Sequence, residues 1–373
     1  MIRLDPRSLL DPPRYPHHGY ARLADRLKHL LATAADVVFV PAEAKLALEA
    51  VAAGVAYPGL VALNVVSGPH GAAFGAWLRR GGATVHEVLA EPGQAIAIEA
   101  VAACADGLGQ LDLVAAVHAE PATGVLNPLA ALAALARSRG ALLVVDAVAS
   151  VGGHPLELDA LGVDIAVIGP QKALAGPAGV SAVALGARAW AHLEAAEPHV
   201  AQAPLATSNL SLTRLRRDWL DCGRGELPGT PSPLEFWALE AALDRIEAEG
   251  IAQTVARHAQ AAQACRAALR ALGVPPAIAR DDAASALVTA APVPPGVEAA
   301  ALIAHARRHG VELAPGPGPL ARRIVRLDHT GLRAAEDAVH ANIVAYGGAL
   351  EQLNYPVDLD AAGQAIADAY AGV

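Results

Sequence analysis

Cysteine is scarce in this sequence, which has three among 373 residues: Cys104, Cys222 and Cys265. Their odd number and wide separation exclude a disulfide framework and a Cys-x-x-Cys metal site, and are typical of reduced thiols in a cytosol. Apolar stretches are interrupted by Gly, Pro or charge before they could span a bilayer, and the opening MIRLDPRSLLDPPRYPHHGY lacks the apolar core of a signal peptide. These absences predict a soluble, cytoplasmic protein with no membrane segment.

Basic residues are few as well: Lys and Arg total 28 against 37 Asp and Glu, which gives a net charge of −9 with no basic run. A nucleic-acid-binding surface is therefore not expected. The neighbouring His17 and His18 have no cluster of Cys, Asp or Glu at ligand spacing beside them, so no metal site is predicted. Apolar side chains are abundant, at 54% of the residues, and the chain length favours two domains.

Helical and strand patterns alternate along the first two thirds of the chain. Apolar runs such as LDLVAAVHAE, ALLVVDAVAS and VDIAVIG are separated by helical patterns such as NPLAALAALARSRG, for which Asn127 is the expected N-cap and Gly140 the residue past the end. Runs buried on both faces between helices indicate a mainly parallel sheet in an α/β domain. We predict a large domain over residues 1–258 and a smaller α+β C-terminal domain over 259–373.

Two reactive side chains follow neighbouring apolar runs. Asp146 ends LLVVD, and Lys172, one of three lysines in the chain, follows IAVIGPQ on a turn bracketed by Gly and Pro. Alone, Asp146 could be a cap or turn residue, and Lys172 a solvated lysine. Because ligands of α/β sheets bind at the carboxyl ends of the strands, the pair is expected at one site. A lysine that bonds an aldehyde and a carboxylate that keeps a pyridine nitrogen protonated are what pyridoxal chemistry requires.

The segment VVDAVASVGGHPLELDALGVDIAVIGPQKALAGPAGVSAVAL resembles the class V aminotransferases of fold type I, in particular the alanine-glyoxylate and serine-glyoxylate transaminase group. HAEPATGVLNPL, GTPSPLEFWALEAAL and VRLDHTG resemble further motifs of that group. The resemblance implies a transaminase that moves an amino group between an amine or amino acid donor and a small 2-oxo acid, pyruvate or glyoxylate. It also implies pyridoxal 5′-phosphate as cofactor and a homodimer with shared active sites.

The resemblance implies roles for individual residues. Lys172 corresponds to the lysine that forms the Schiff base, and Asp146 to the partner of the pyridine nitrogen. Gln171 corresponds to a residue that helps to hold the phosphate, although it could be a simple turn residue. Thr230 corresponds to a threonine supplied by the neighbouring subunit. Arg326 corresponds to the arginine that grips the substrate carboxylate, a bidentate task that suits a planar guanidinium.

Several of these residues have ordinary alternatives. Thr230 could be the N-cap of the helix in PSPLEFWALEAAL, and Arg326 a surface ion-pair residue. His70, in NVVSGPHGAAFG, falls where relatives stack an aromatic ring on the pyridine; it could stack, pass protons, or be a plain loop histidine. Pro121 stands where many relatives have a hydroxyl beside the ring oxygen of the cofactor. Thr123, two residues later, could serve there or be only a turn residue.

Glu43, in VPAEAKLALEA, departs from the family, in which a Ser-Gly-Thr-Gly-like turn opens a helix onto the phosphate. A carboxylate there repels a phosphate unless Lys45 compensates. Pyridoxamine-pyruvate transaminase, a branch of the family with a comparable Glu, treats unphosphorylated pyridoxamine as a substrate, and this chain also resembles it in SGPHGAAFGAW and GPQKALAGPAGV. Glu43 therefore predicts use of unphosphorylated pyridoxal or pyridoxamine or, if it faces solvent at the helix start, ordinary phosphate binding.

Two other functions remain open on the sequence. A lyase such as a cysteine desulfurase has the same fold but needs a loop cysteine. Cys104 and Cys265 lie in helical patterns, and Cys222 has no matching motif beside it. A degenerate binding protein that has lost cofactor use is also compatible with the altered turn around Glu43.

Overall fold

The structure, a computed structural model, describes residues 10–200, 208 and 210–371. Strands and helices are interspersed up to residue 249. The strands are β1 (Asp36–Val40), β2 (Val61–Val66), β3 (Thr84–Leu89), β4 (Leu113–Val117), β5 (Ala119–Glu120), β6 (Val125–Leu126), β7 (Leu142–Asp146), β8 (Ile165–Ile168) and β9 (Ser181–Leu185). The helices are α1 (His17–Leu30), α2 (Ala44–Val55), α3 (Pro69–Arg80), α4 (Ile98–Asp106), α5 (Leu129–Ser138), α6 (Leu158–Leu161), α7 (Ala187–Val200), α8 (Leu212–Leu215) and α9 (Pro233–Glu249).

Seven of these strands form one sheet in the order β1-β9-β8-β7-β4-β2-β3. Strand β9 runs antiparallel to both of its neighbours, and the other pairings are parallel. All residues of β4, β7, β8 and β9 are buried, which accounts for their unbroken apolar sequences. The predicted α/β fold with a mainly parallel sheet is therefore confirmed. Within the described residues, no helix is long and apolar enough to cross a membrane.

A second, smaller sheet follows. Its strands β10 (Val288–Pro292), β11 (Ala314–Pro315) and β12 (Ile324–Asp328) are antiparallel, with β12 in the centre. Four helices accompany it: α10 (Ile251–Ala271), α11 (Ala299–Arg308), α12 (Glu336–Gln352) and α13 (Leu359–Ala371). A separate hydrophobic core lies between this sheet and these helices. Helix α10 runs without a break through residue 258, and the division of the chain at that position stays a prediction.

Asn127 differs from its predicted role. Helix α5 has Pro128 at its N-cap and no side-chain hydrogen bond there. The Asn127 side chain instead joins two loops at the carboxyl edge of the large sheet: its Oδ1 accepts a hydrogen bond from the Ile96 amide at 3.1 Å, and its Nδ2 donates one to Ser67 Oγ at 2.7 Å. The N-cap prediction is wrong because these long-range partners satisfy the amide group better than the helix end. Gly140 follows the helix with a φ of +68°, as predicted.

Buried histidines join the two parts of the chain. His154, which precedes α6, accepts a hydrogen bond at Nε2 from the Ala286 amide at 3.1 Å. His258, in α10, accepts one at Nε2 from the Gly331 amide at 3.0 Å. An acceptor nitrogen must be unprotonated, so these contacts require neutral imidazoles. Burial lowers the pKa of both side chains, to about 3 for His154 and about 4 for His258, and acts in the same direction on two further histidines, with values of about 4 for His118 and about 3 for His329.

These pKa shifts predict a loss of stability in mild acid. An unfolded histidine has a pKa of about 6.5, so below that pH the unfolded chain binds protons that the folded chain excludes. The contribution of these neutral histidines to the free energy of unfolding is therefore fully present above pH 6.5. It is lost as the pH falls toward 4. Urea unfolding should show the free energy of unfolding falling by about 1–2 kcal/mol per buried histidine between pH 7.5 and pH 5.

A matched pair of variants isolates the contribution of one buried ring. His340 is exposed on α12, so His340→Gln should keep the full pH dependence. His154→Gln should reduce the pH dependence of the free energy of unfolding by the contribution of one histidine. A free energy of unfolding that is the same at pH 7.5 and pH 5 would contradict the assignment of neutral buried rings.

Candidate active site

A cavity of about 290 Å³ opens at the carboxyl edge of the large sheet. Strands β7 and β8 lie side by side there, with Asp146 in register with Val167, so the ends of the two strands meet at this edge. The lining residues come from the starts of α2 and α3, the turn after β5 and the segments after β7 and β8: Glu43, Ala44, Lys45, Leu48, His70, Pro121, Asp146, Val148, Ala149, Gln171 and Lys172. Asp146 and Lys172, which were expected at one site, both line this cavity.

Asp146 is the most buried acid on the cavity wall, with 8% of its surface exposed. Its Oδ1 accepts a hydrogen bond from the Val148 amide at 3.0 Å, which fixes the carboxyl group at the strand end. Burial raises the pKa of Asp146 to about 6. A carboxylate with a raised pKa gains from a cationic partner, which a protonated pyridine nitrogen would supply.

Lys172 lies four residues after the end of β8, on the turn that Gly169 and Pro170 begin. The start of the segment after β12 packs against this turn: Gly331 has a φ of +64°, and a Cβ on it would lie 3.0 Å from the Lys172 carbonyl oxygen. Glycine is therefore needed for the close approach. The contact fixes the backbone from which the Lys172 side chain extends into the cavity.

Glu120 is a residue of the site that the sequence analysis did not single out. Its side chain is fully buried, and its Oε1 lies 2.6 Å from His70 Nδ1. The second oxygen accepts a hydrogen bond from the His70 amide at 3.2 Å. The hydrogen bond to Glu120 raises the pKa of His70, which favours an imidazolium on the cavity wall. A Glu inside an otherwise apolar strand pattern was the signal available in the sequence.

Glu43 occupies the N-cap position of α2, and its carboxylate accepts a hydrogen bond from the Lys45 amide at 3.0 Å. Gln171 Nε2 lies 3.5 Å from the other carboxylate oxygen. Glu43, Lys45 and Gln171 line the cavity together, so the side chain that would meet a phosphate there is an acid. Glu43 and Lys45 are both exposed, which leaves this end of the cavity open to the outside of the chain.

Arg326 lies in the central strand of the small sheet and lines a second cavity of about 310 Å³. Pro121, Gln171 and Lys172 line both cavities, so the two adjoin at the lysine. The Arg326 guanidinium donates a hydrogen bond to the Pro121 carbonyl at 3.1 Å, while its Nε is buried without a partner within the described residues. A buried, unpaired donor is rare and suits a ligand carboxylate.

Two of the predicted site residues lie outside both linings. Thr123 is buried in the turn between β5 and β6, and its Oγ1 has no hydrogen-bond partner among the described residues. Thr230 is exposed on the segment before α9. The N-cap of α9 is Ser232, so the alternative interpretation of Thr230 as that N-cap is wrong.

The residues present fit a pyridoxal group. The first cavity combines a buried carboxylate for a pyridine nitrogen, a lysine for an aldehyde and a histidine ring for the face of the pyridine. Gln171 Oε1 and Arg326 Nε are buried without partners within the described part of the chain, as expected for atoms that contact a ligand. The unpaired atoms lie on the two cavities that Lys172 connects.

Comparison with known proteins decides the family. A family model described as aminotransferase class-V matches residues 17–320. The chain belongs to this family. It is an aminotransferase of fold type I, and the family depends on pyridoxal phosphate.

Two class-V aminotransferase activities recur among the relatives. The chain is 35% identical over 338 residues to the pyridoxamine-pyruvate transaminase of Mesorhizobium japonicum, covering 89% of this chain and 83% of that protein. The crystal structure of pyridoxamine-pyruvate aminotransferase from Mesorhizobium loti matches with a TM-score of 0.89 and 31% identity over 98% of this chain and 93% of that one. An alanine-glyoxylate aminotransferase from Nostoc sp. matches with a TM-score of 0.84 and 26% identity over 92% and 91% of the two chains. The predicted family is confirmed.

Proposed function

We propose that this aminotransferase moves the amino group of unphosphorylated pyridoxamine to a small 2-oxo acid such as pyruvate, and releases pyridoxal. The observation that carries the proposal is the carboxylate of Glu43 at the start of α2, on the cavity wall. The similarity to pyridoxamine-pyruvate transaminase over most of both chains supports the same substrate pair.

Glu43 works against a phosphate in two ways. The start of a helix binds phosphate through free amide groups and the positive end of the helix dipole, but Glu43 already accepts the Lys45 amide hydrogen bond. Its negative charge would also repel a phosphate dianion. A 5′-hydroxyl, in contrast, is uncharged and can donate a hydrogen bond to the carboxylate.

The residues of the two cavities have separate roles in the proposed amino transfer. When bound, the pyridine ring supplies an electron sink, which requires a protonated ring nitrogen. Asp146 holds that proton in place. Glu120 orients His70 and favours its charged form on the cavity wall. Arg326 binds the carboxylate of the oxo acid through its unpaired donor, and Lys172 Nζ carries a proton between the amine-bearing carbon and the α-carbon of the oxo acid.

A second candidate is a transaminase that retains pyridoxal phosphate and uses an amino acid donor with glyoxylate or pyruvate. Lys45 favours it, because it lines the same cavity as Glu43 and its positive charge could offset that of the carboxylate. A desulfurase-type lyase has less support. Neither cavity is lined by a thiol of Cys104, Cys222 or Cys265. A degenerate binding protein has less support too, since Lys172, Asp146 and Arg326 all line these cavities.

The exchange Glu43→Ser tests the substrate proposal. It removes the repelling charge and frees the helix start, so the ratio of affinities should shift from pyridoxal toward pyridoxal phosphate by about one to two orders of magnitude. Titration of both compounds against wild type and variant measures the ratio. Glu99→Ser, an exposed acid in the first turn of α4, is the matched control and should leave the ratio unchanged. A constant ratio in Glu43→Ser would favour the phosphate-retaining candidate.

We also propose a homodimer as the active species. Thr230 is exposed on its own chain and lines neither cavity, so it is free to enter the active site of a second subunit. The first cavity is open beside Glu43, and a second subunit could cover this opening. Sedimentation velocity on the active protein should show a dimer or larger. An active monomer at assay concentration would overturn this proposal. A cytoplasmic location stays a prediction from composition, which fractionation of the source cells would check.

A further inference from the structure

The small sheet brings two acids to the rim of the second cavity. In the antiparallel pairing of β11 with β12, Ala314 lies opposite Arg326. Asp328 lies two residues beyond Arg326 on β12, and residues two apart on a strand share one face. Glu312 lies two residues before β11. Arg326, Asp328, Glu312 and Ala314 all line the cavity. We call Glu312 and Asp328 the acidic rim.

The charges of this cavity are unevenly placed. Its cationic lining residues within the described chain are Lys172, at the reacting end, and Arg326, which has an unpaired donor for one carboxylate. Each rim acid has one arginine partner: Arg307 lies 2.8 Å from Glu312, and Arg333 lies 3.3 Å from Asp328. Neither arginine lines the cavity, so a ligand meets the carboxylates and not their partners.

We propose that the acidic rim selects against 2-oxo acids that carry a second carboxylate. The unpaired donor of Arg326 binds the first carboxylate of the oxo acid. A second carboxylate at the far end of the oxo acid would lie near the like charges of the rim, without a further cation to pair with. A monocarboxylic oxo acid avoids this repulsion. The inference rests on the proposed function and names its acceptor class: short 2-oxo monocarboxylates, with 2-oxo dicarboxylates excluded. Because both rim acids are more than half exposed, solvent screening limits the effect of each.

The test compares two acceptors of equal chain length, 2-oxovalerate and 2-oxoglutarate, which differ by one terminal carboxylate. The wild-type enzyme, supplied with excess pyridoxamine as the amino donor, should give a higher kcat/KM with 2-oxovalerate. Asp328→Asn and Glu312→Gln should each reduce the ratio of kcat/KM values about threefold, and the double variant about tenfold. Glu298→Gln, at an exposed N-cap position of the same domain and outside the cavity, is the matched control and should leave the ratio unchanged.

Two further measurements keep the outcome decisive. Pentanoate and glutarate cannot react, so calorimetric titration measures their binding alone. The ratio of the affinity for pentanoate to that for glutarate should be smaller in the double variant than in the wild type. In the wild type, raising NaCl from 0.05 to 0.5 M should also lower the ratio of kcat/KM for 2-oxovalerate to that for 2-oxoglutarate, because salt screens exposed charges. The same change in salt should alter this ratio less in the double variant.

An enzyme that aminates neither oxo acid would overturn the proposed function. An enzyme that aminates 2-oxo acids with an unchanged ratio in the double variant, and no salt effect on the ratio, would overturn the acidic rim alone. If Asp328→Asn fails to fold, Glu312→Gln and the salt series decide the matter.

Discussion

Lys172→Ala is expected to abolish transamination, with a fall in rate of at least about a thousandfold, while the protein stays folded. Lys172 lines both cavities, whereas the other cavity lysine, Lys45, lines the first cavity alone. Among the three lysines of the chain, Lys172 is therefore the one at the junction of the two cavities. The visible absorbance that pyridoxal gains on bonding to a lysine should disappear as well, since the alanine cannot bond the aldehyde.

Two lysine variants serve as controls for this experiment. Lys28→Ala, on α1 and outside both cavities, should keep both the absorbance and the rate. Lys45→Ala should keep the absorbance, because Lys172 remains. Circular dichroism and urea unfolding should show that Lys172→Ala retains the fold. If Lys172→Ala transaminated at the wild-type rate, the assignment of this lysine would be wrong.

Asp146→Asn is expected to reduce turnover by about two to three orders of magnitude, with little change in fold. The amide has nearly the same shape, and its oxygen can still accept the Val148 hydrogen bond, but it carries no charge to keep a pyridine nitrogen protonated. The ring then accepts electrons poorly. Steady-state rates with pyridoxamine and pyruvate measure the loss.

The cause of that loss can be separated from a mere packing effect. Pyridoxamine methylated on the ring nitrogen is cationic without a proton there, so as the amino donor it should restore part of the activity of Asp146→Asn. Asp244→Asn, an exposed acid on α9, should behave as wild type. A rate near that of wild type for Asp146→Asn, with no gain from the methylated compound, would show that the carboxylate does not partner the ring.

The central part of the site was predictable because its signals are local. An unbroken apolar run indicates a buried parallel strand, and Asp146 and Lys172 follow two such runs. The rule that ligands bind at strand ends then brings the pair together. Strand β9 was not among the predicted strands, although its sequence SAVAL is as apolar, since it follows the Gly/Pro turn that was interpreted only as part of the site.

The rest of the site depends on contacts between distant segments. Glu120 pairs with His70 across 50 positions, and Arg326 reaches the Pro121 carbonyl across 205. Periodicity reports which face of an element is apolar, but not which partner a polar side chain will find. The same limit explains Asn127: its sequence context favours a cap, and its partners lie on other loops. The acidic rim likewise combines residues from two segments, Glu312 before β11 and Asp328 at the end of β12, which line one cavity.

The most direct test of the account is product analysis of the wild-type protein with pyruvate and either pyridoxamine or pyridoxamine 5′-phosphate. Chromatography should show pyridoxamine converted to pyridoxal over many turnovers, with one alanine formed for each pyridoxal, and the phosphorylated amine converted far more slowly. The opposite preference would contradict the account, as would turnover that needs only a trace of pyridoxal phosphate and an amino acid donor, since Glu43 would then not govern which form of the vitamin binds.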